Sequence, residues 1–122
     1  RRYRLNPEYR IKQTLRRRLS RFVKRKTDRS NPALTLLGCS ISNFKIYLQS
    51  KFEPGMTWEN YGEWELDHVV PIKRFSLDRE DHLKICFGWL NHQPKWETTE
   101  IAIKHGEPAD YIGNINKHDS FS

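Results

Sequence analysis

Apolar residues recur along this chain with two different periods. Behind Asn6-Pro7, a capping side chain followed by proline at a first helical position, Tyr9, Ile11, Leu15, Leu19, Phe22 and Val23 return at near-helical spacing. The intervening positions carry Arg10, Lys12, Arg16, Arg17, Arg18, Arg21, Lys24, Arg25 and Lys26. This pattern predicts an amphipathic basic helix over roughly residues 7–26, one face packing on the body and the other meeting solvent or phosphates. Thr27 to Pro32 reads as a polar linker and Ala33 to Leu37 as a short apolar piece ended by Gly38. Ser40 then caps a second helix with Ile41, Phe44, Tyr47 and Leu48 as its buried stripe. Phe52, Pro54-Gly55, Met56 and Trp58 form a turn rich in bulky groups, read as core, and Asn60-Tyr61-Gly62 leads into a strand.

At that strand the period changes. Trp64-Glu65-Leu66-Asp67-His68-Val69-Val70-Pro71 is an apolar, β-branched run that predicts a strand, a turn at the Asp-His pair, and a second strand stopped by Pro71. On extended backbone Glu65 and Asp67 share a face, with His68 turned away from it unless the turn at the pair rotates it. Ile72 to Leu77 reads as a loop, Asp78 to Cys86 as a short helix with His82 exposed, and Gly88 to Pro94 as a turn or short extended segment. Residues 95–104 read as a last helix holding Trp96, Glu100, Ile101 and Lys104, before a polar tail from Gly106.

The chain's 122 residues suffice for one small domain, and 36% hydrophobic content implies a thin core. No apolar run approaches the length of a membrane span, and no apolar segment follows the basic start as a secretory signal would require. Cys39 and Cys86 have no metal-knuckle spacing and read as reduced core thiols of an intracellular protein. The net charge of +7 is lopsided: residues 1–30 hold 13 Lys and Arg against 2 acids, +11, and residues 31–122 hold 9 against 13, −4. The chain thus divides into a basic helical arm, 1–30, and a mildly acidic domain, 31–122. An arm this dense calls for a polyanionic partner, and nothing lipid-like accompanies it, which puts nucleic acid ahead of a membrane.

Asp67 and His68 carry the candidate chemistry. A carboxylate is a hard oxygen ligand for Mg²⁺ or Mn²⁺, and a neutral imidazole is the common general base near pH 7. Asp67-His68 is followed after 22 residues by Asn91 and after a further eight by Glu100. With Leu36-Leu37-Gly38-Cys39-Ser40, the run Phe52 to Gly62, Trp64 to Pro71 and Asn91-His92-Gln93-Pro94, this layout resembles the HNH endonuclease family in its bacteriophage and mobile-element form. The resemblance covers roughly residues 34–104, with the motif core about 62–105.

The resemblance implies an α+β fold: a small ββα-metal (HNH, His-Me finger) core with additional N-terminal helices, the first strongly basic. It implies DNA phosphodiester hydrolysis, by nicking or double-strand cleavage, with 5′-phosphate and 3′-hydroxyl products. Asp67 would be a metal ligand, His68 the base that activates water, and Asn91 the residue that holds the connecting loop and orients the histidine without touching the metal. The third motif position falls on Glu100, where the family has His or Asn. Two carboxylates and a phosphate suit one Mg²⁺ or Mn²⁺ better than Zn²⁺, with His92 and Glu65 as the other candidate ligands. Lys104 stands one helical turn beyond Glu100. Duplex DNA is the expected partner, through Arg16, Arg17, Arg18, Arg21, Lys24, Arg25, Lys73, Arg74 and Lys104, in the host cytoplasm if the protein is phage-encoded, as a monomer or dimer. The competing reading is a degenerate HNH fold that binds nucleic acid without cleaving it, which the glutamate at position 100 favours.

Overall fold

A computed structural model describes residues 6–22 and 32–113. The described chain is α+β, with five helices and one two-stranded antiparallel sheet. The first helix, α1 (Pro7–Phe22), starts where Asn6 accepts from the Tyr9 amide at 3.2 Å. Its buried side chains are Ile11, Thr14, Leu15 and Leu19. The expected continuation to residue 26, with Lys24 and Arg25, lies outside the described residues. Helix α2 (Pro32–Leu37) ends at Gly38, whose φ of +83° is reached without strain only by a residue lacking Cβ. Helix α3 (Ile41–Ser50) is capped by the Ser40 hydroxyl, which accepts from the Asn43 amide at 3.1 Å. Its Ile41, Phe44 and Leu48 are buried.

Strand β1 (Trp64–His68) pairs with β2 (His92–Trp96) in the register Trp64–Trp96, Glu65–Lys95, Leu66–Pro94, Asp67–Gln93 and His68–His92. This corrects two expectations. The Asp-His pair sits inside a single strand rather than at a turn, and the pairing segment comes from 92–96 rather than from 69–71. Val69 adds one further ladder bond, from its amide to the Asn91 carbonyl at 2.9 Å. Both backbone groups of Val70 are then taken by the Asn91 side chain, so pairing ends there. Trp96, expected in the last helix, closes β2 instead, because its partner across the ribbon is Trp64 and two large rings are buried together. Pro94 is tolerated because each strand of a two-stranded ribbon has an outer edge that needs no donor.

Helix α4 (Glu80–Cys86) and a short 3-10 turn (Trp89–Asn91) bridge the strands, and α5 (Thr99–Lys104) comes after β2. The Thr98 hydroxyl caps α5 by accepting from the Ile101 amide at 3.1 Å. One face of the ribbon carries Trp64, Leu66, His68, His92, Pro94 and Trp96, all buried. Around Trp64 the rings of Phe52, Trp58 and Tyr61 lie at centroid distances of 4.9, 5.4 and 4.6 Å, as core aromatics do. Ile11, Leu15 and Leu19 of α1 belong to the same hydrophobic cluster, so this helix is docked on the body. Cys39 and Cys86 are free thiols, and burial pushes that of Cys86 up to about 12. Among the described residues no helix is long and apolar enough to cross a membrane.

Candidate functional site

The end of the ribbon is built around two imidazoles. His68 and His92 face each other across β1 and β2, ring centroids 4.7 Å apart, and both are fully buried. His92 packs edge-on to Phe44 at 5.4 Å, and His68 edge-on to Phe87 at 5.7 Å. Each ring is tied to a carbonyl at or just past the end of α4: His68 to that of Cys86, His92 Nδ1 to that of Gly88 at 2.7 Å. Burial, then the neighbouring His92 and the charge of Arg18, pulls His68 down to about 2, with the Cys86 bond opposing. Burial likewise pulls His92 down to about 4, the Gly88 bond opposing and Arg18 adding to it. Both rings are therefore neutral at physiological pH.

Asn91 joins this arrangement to the loop. Its Oδ1 accepts from the Val70 amide at 2.8 Å, and its Nδ2 donates to the carbonyls of Val70 and Cys86, each at 3.1 Å. The Cys86 carbonyl thus receives both Asn91 and His68. Its part in holding the imidazole has no local sequence signal, since a backbone oxygen is the same in every residue.

The opposite face of the ribbon is polar. Glu65 and Asp67 point there with Gln93 and Lys95 from β2. Asp67 is fully buried and accepts from Gln93 Nε2 at 3.2 Å. Helix α1 meets Tyr61, beside the start of β1, with residues four apart. The Arg10 guanidinium lies 4.4 Å from the Tyr61 ring centroid, and the Thr14 hydroxyl is 3.1 Å from that of Tyr61. One turn on, Arg18 is part-buried; burial pulls its guanidinium below its ordinary value, with the charges of Glu65, Asp67 and Glu97 opposing. Burial, then Glu97, raises Glu65, with Arg18, Arg10 and Arg17 opposing.

This placement of Arg18 departs from the expectation that it faces phosphates with its neighbours. The signal was present in the spacing: Arg10, Thr14 and Arg18 form a row one residue behind the apolar row Ile11, Leu15, Leu19, so they flank the buried seam. Arg16, Arg17 and Arg21 are exposed on α1, as are Lys73 and Arg74 after Pro71. Glu100 and Lys104 are exposed on α5.

Asp67 and His68 are adjacent but project from opposite faces of β1. Glu100 stands in the first turn of α5, exposed, whereas Asp67 is fully buried in β1. Among the described residues no three His, Cys, Asp or Glu side chains gather into a metal-holding cluster. Glu65, Asp67 and Glu97 are hard oxygen donors by type, but the register sets Asp67 opposite Gln93 and Glu97 beside Glu63, so the three are spread along the ribbon.

Two viral proteins are similar to this chain. The uncharacterized protein L426 of Acanthamoeba polyphaga mimivirus is 37% identical over 105 residues, covering 85% of this chain and 45% of that protein. The uncharacterized protein L246 of the same virus is 34% identical over 116 residues, covering 93% of this chain and 48% of that protein. The chain therefore spans about half the length of the curated relatives it matches. No family model and no solved structure matches it.

Proposed function

We propose that this chain carries the ββα unit of an HNH-type DNA endonuclease, with a basic helix docked against its core. The observation that supports this reading is the shared Cys86 carbonyl, through which Asn91, at the middle motif position, fixes the imidazole next to Asp67. Strands β1 and β2 followed by α5 supply the two strands and one helix of such a unit in the required order.

In this reading His68 is the base. A neutral imidazole with one nitrogen bonded to a carbonyl keeps the other for a proton taken from water. Buried as described, with its value near 2, the ring is too weak a base for neutral pH. Substrate docking must therefore admit water to it, and hydration would lift that value toward the ordinary range. Asp67 would hold the divalent ion, with Glu65 on the same face and Glu100 as the expected second ligand. The ion, when bound, stabilises the negative charge developing on the phosphoryl group and the departing oxygen. Arg16, Arg17, Arg21, Lys73, Arg74 and Lys104 are exposed to bind phosphates, which positions the strand without reading its sequence. Two relatives come from a virus of Acanthamoeba, so the DNA met would be that of a virus or its host.

The second reading, a nucleic-acid-binding module without cleavage, is favoured by one specific observation: the ligand and the base leave β1 on opposite faces. A supercoiled-plasmid assay in Mg²⁺ and in Mn²⁺ separates the two. The endonuclease reading expects nicked or linear product, lost with EDTA and in His68→Ala, and reduced in Glu100→Ala. Salt-sensitive retention of the plasmid without cutting in either metal supports the second reading. Full cutting by His68→Ala removes the assigned base. Parallel arms with single-stranded DNA and RNA identify the substrate.

A further inference from the structure

The surface at the His68 end of the ribbon carries three aliphatic side chains in water. Val69 is 49%, Val70 40% and Leu90 67% exposed. Scattered singly, exposed aliphatic groups need no explanation. Here the backbone brings them to one place. The Val69 amide donates to the Asn91 carbonyl at 2.9 Å, which carries the ladder one step beyond the His68–His92 pair. The Asn91 side chain then takes both backbone groups of Val70, and Leu90 is the residue just before Asn91 in the 3-10 turn. Three hydrogen bonds therefore fix Val69 and Val70 to the segment that carries Leu90, next in the chain to the proposed base. Valine is branched at Cβ and has few rotamers, so the group is stiff as well as apolar.

The charge beside this group selects its partner. After Pro71 the chain enters a second 3-10 turn (Ile72–Arg74), in which Ile72 is buried while Lys73 and Arg74 are exposed. The Arg74 amide donates to the Pro71 carbonyl at 3.0 Å and the Phe75 amide to the Ile72 carbonyl at 3.1 Å, so both cations stand on a closed turn. Three residues of chain, at most about 10 Å, separate Lys73 from Val70. The minor groove of duplex DNA has that scale, about 6 Å wide and 7.5 Å deep, with base edges at its floor and phosphates along its rims. We propose that Val69, Val70 and Leu90 form an apolar wedge that enters the minor groove and partly unstacks one base step, while Lys73 and Arg74 hold the phosphates beside it. The proposal rests on the reading of this chain as a DNA-binding protein and adds how the duplex is engaged. Unstacking kinks the duplex, and the kink would fall beside His68, so distortion of the strand and the proposed base meet at one step. A second copy docked here across a two-fold axis would bring the same cations together, and that repulsion disfavours self-association at this surface.

The test uses the whole chain in EDTA, so that cleavage plays no part, with short duplexes carrying 2-aminopurine at successive positions. Pyrimidine–purine steps are included because they open most readily. The fluorescence of 2-aminopurine rises when its stacked neighbours part. Binding of the wild type is expected to raise it, and the double variant Val70→Thr/Leu90→Ser to lose most of the rise. The same variant is expected to bind about tenfold more weakly, the order for two aliphatic side chains losing part of a buried contact. Its slope of log affinity against log salt is expected to match the wild type, because the phosphate contacts remain. Arg74→Ala is expected to do the converse, lowering the slope. Salt-dependent binding by the wild type with no rise at any position overturns the wedge while the DNA-binding reading stands, and needs no variant. A rise undiminished in the double variant also overturns it. Absence of duplex binding at any salt removes the wedge together with the reading beneath it. A wild-type dimer in sedimentation velocity that Leu90→Ser dissociates assigns the surface to a second copy and overturns the proposal.

Discussion

Two neutral imidazoles buried against each other make the stability of this fold acid-sensitive, and their environment sets the size of the effect. His68 is held down to about 2 and His92 to about 4, against 6.5 for the free side chain. Both folded values lie below the unfolded one, so between pH 6.5 and 4 the unfolded chain takes up two protons that the folded chain refuses. Stability is therefore full above about pH 6.5 and falls as the pH drops, by roughly 3 kcal/mol per unit for the two rings together. At pH 5 the loss reaches about 4 kcal/mol, a large share of the roughly 5–15 kcal/mol that holds a small domain together. Glu65, raised by burial, acts in the opposite sense, favouring the fold as the pH falls toward its value. The assay is urea unfolding followed by tryptophan fluorescence at pH 7.5, 6 and 5, on the wild type and on His92→Gln. Glutamine can still donate to the Gly88 carbonyl but takes no proton, so the variant should recover about 2 kcal/mol of the loss between pH 7.5 and 5. Glu65 is common to both proteins, and the difference between their curves reports His92 together with the part of the His68 shift that His92 causes. Parallel curves, or a wild-type stability that does not decline between pH 7.5 and 5, would refute the burial of these rings in neutral form.

Three further outcomes are expected. Asn91→Ala removes the partner of the Val70 amide, the Val70 carbonyl and one bond to the Cys86 carbonyl; it should cost about 2–3 kcal/mol in urea unfolding and speed amide exchange at Val70. Gly88→Ala places a Cβ 2.6 Å from the Lys84 carbonyl oxygen, a backbone atom that cannot rotate away; it should destabilise by about 1–3 kcal/mol, and a neutral result would mean that the end of α4 is looser than described. On duplex DNA, alanine at Arg16, Arg17 or Arg21 should each lower the slope of log affinity against log salt by roughly 0.9; a slope unchanged in all three moves the interface off α1.

The local features of this fold were legible in the chain. Asn6-Pro7 and Ser40 start helices because a short polar side chain can take the amides a first turn leaves open. The four-residue recurrence of Ile11, Leu15 and Leu19 identified the buried seam of α1, and Trp64 to His68 showed itself as extended backbone by alternation. Such signals depend on neighbours within a turn or a pleat. Other features depended on partners far away in sequence. The ribbon pairs 64–68 with 92–96 because two tryptophans and two histidines are buried across it. Val69 and Val70 were as good a strand by composition, but Asn91, 21 residues on from Val70, takes up the Val70 backbone.

Charge was the least legible property. By itself the sequence determined a dense basic helix, an acid-and-imidazole pair, and the spacing of Asn91 and Glu100 behind it. Only the tertiary structure decided that Arg18 is part-buried, its charge felt at Glu65, Asp67 and Glu97, while Arg16, Arg17 and Arg21 are exposed, and that His68 and Asp67 occupy opposite faces. The reason is physical: a periodic pattern says which face of an element is buried, but the charge at its margin goes to solvent or to a partner according to what the facing element presents. Here that element is a strand far along the chain, out of reach of any local pattern.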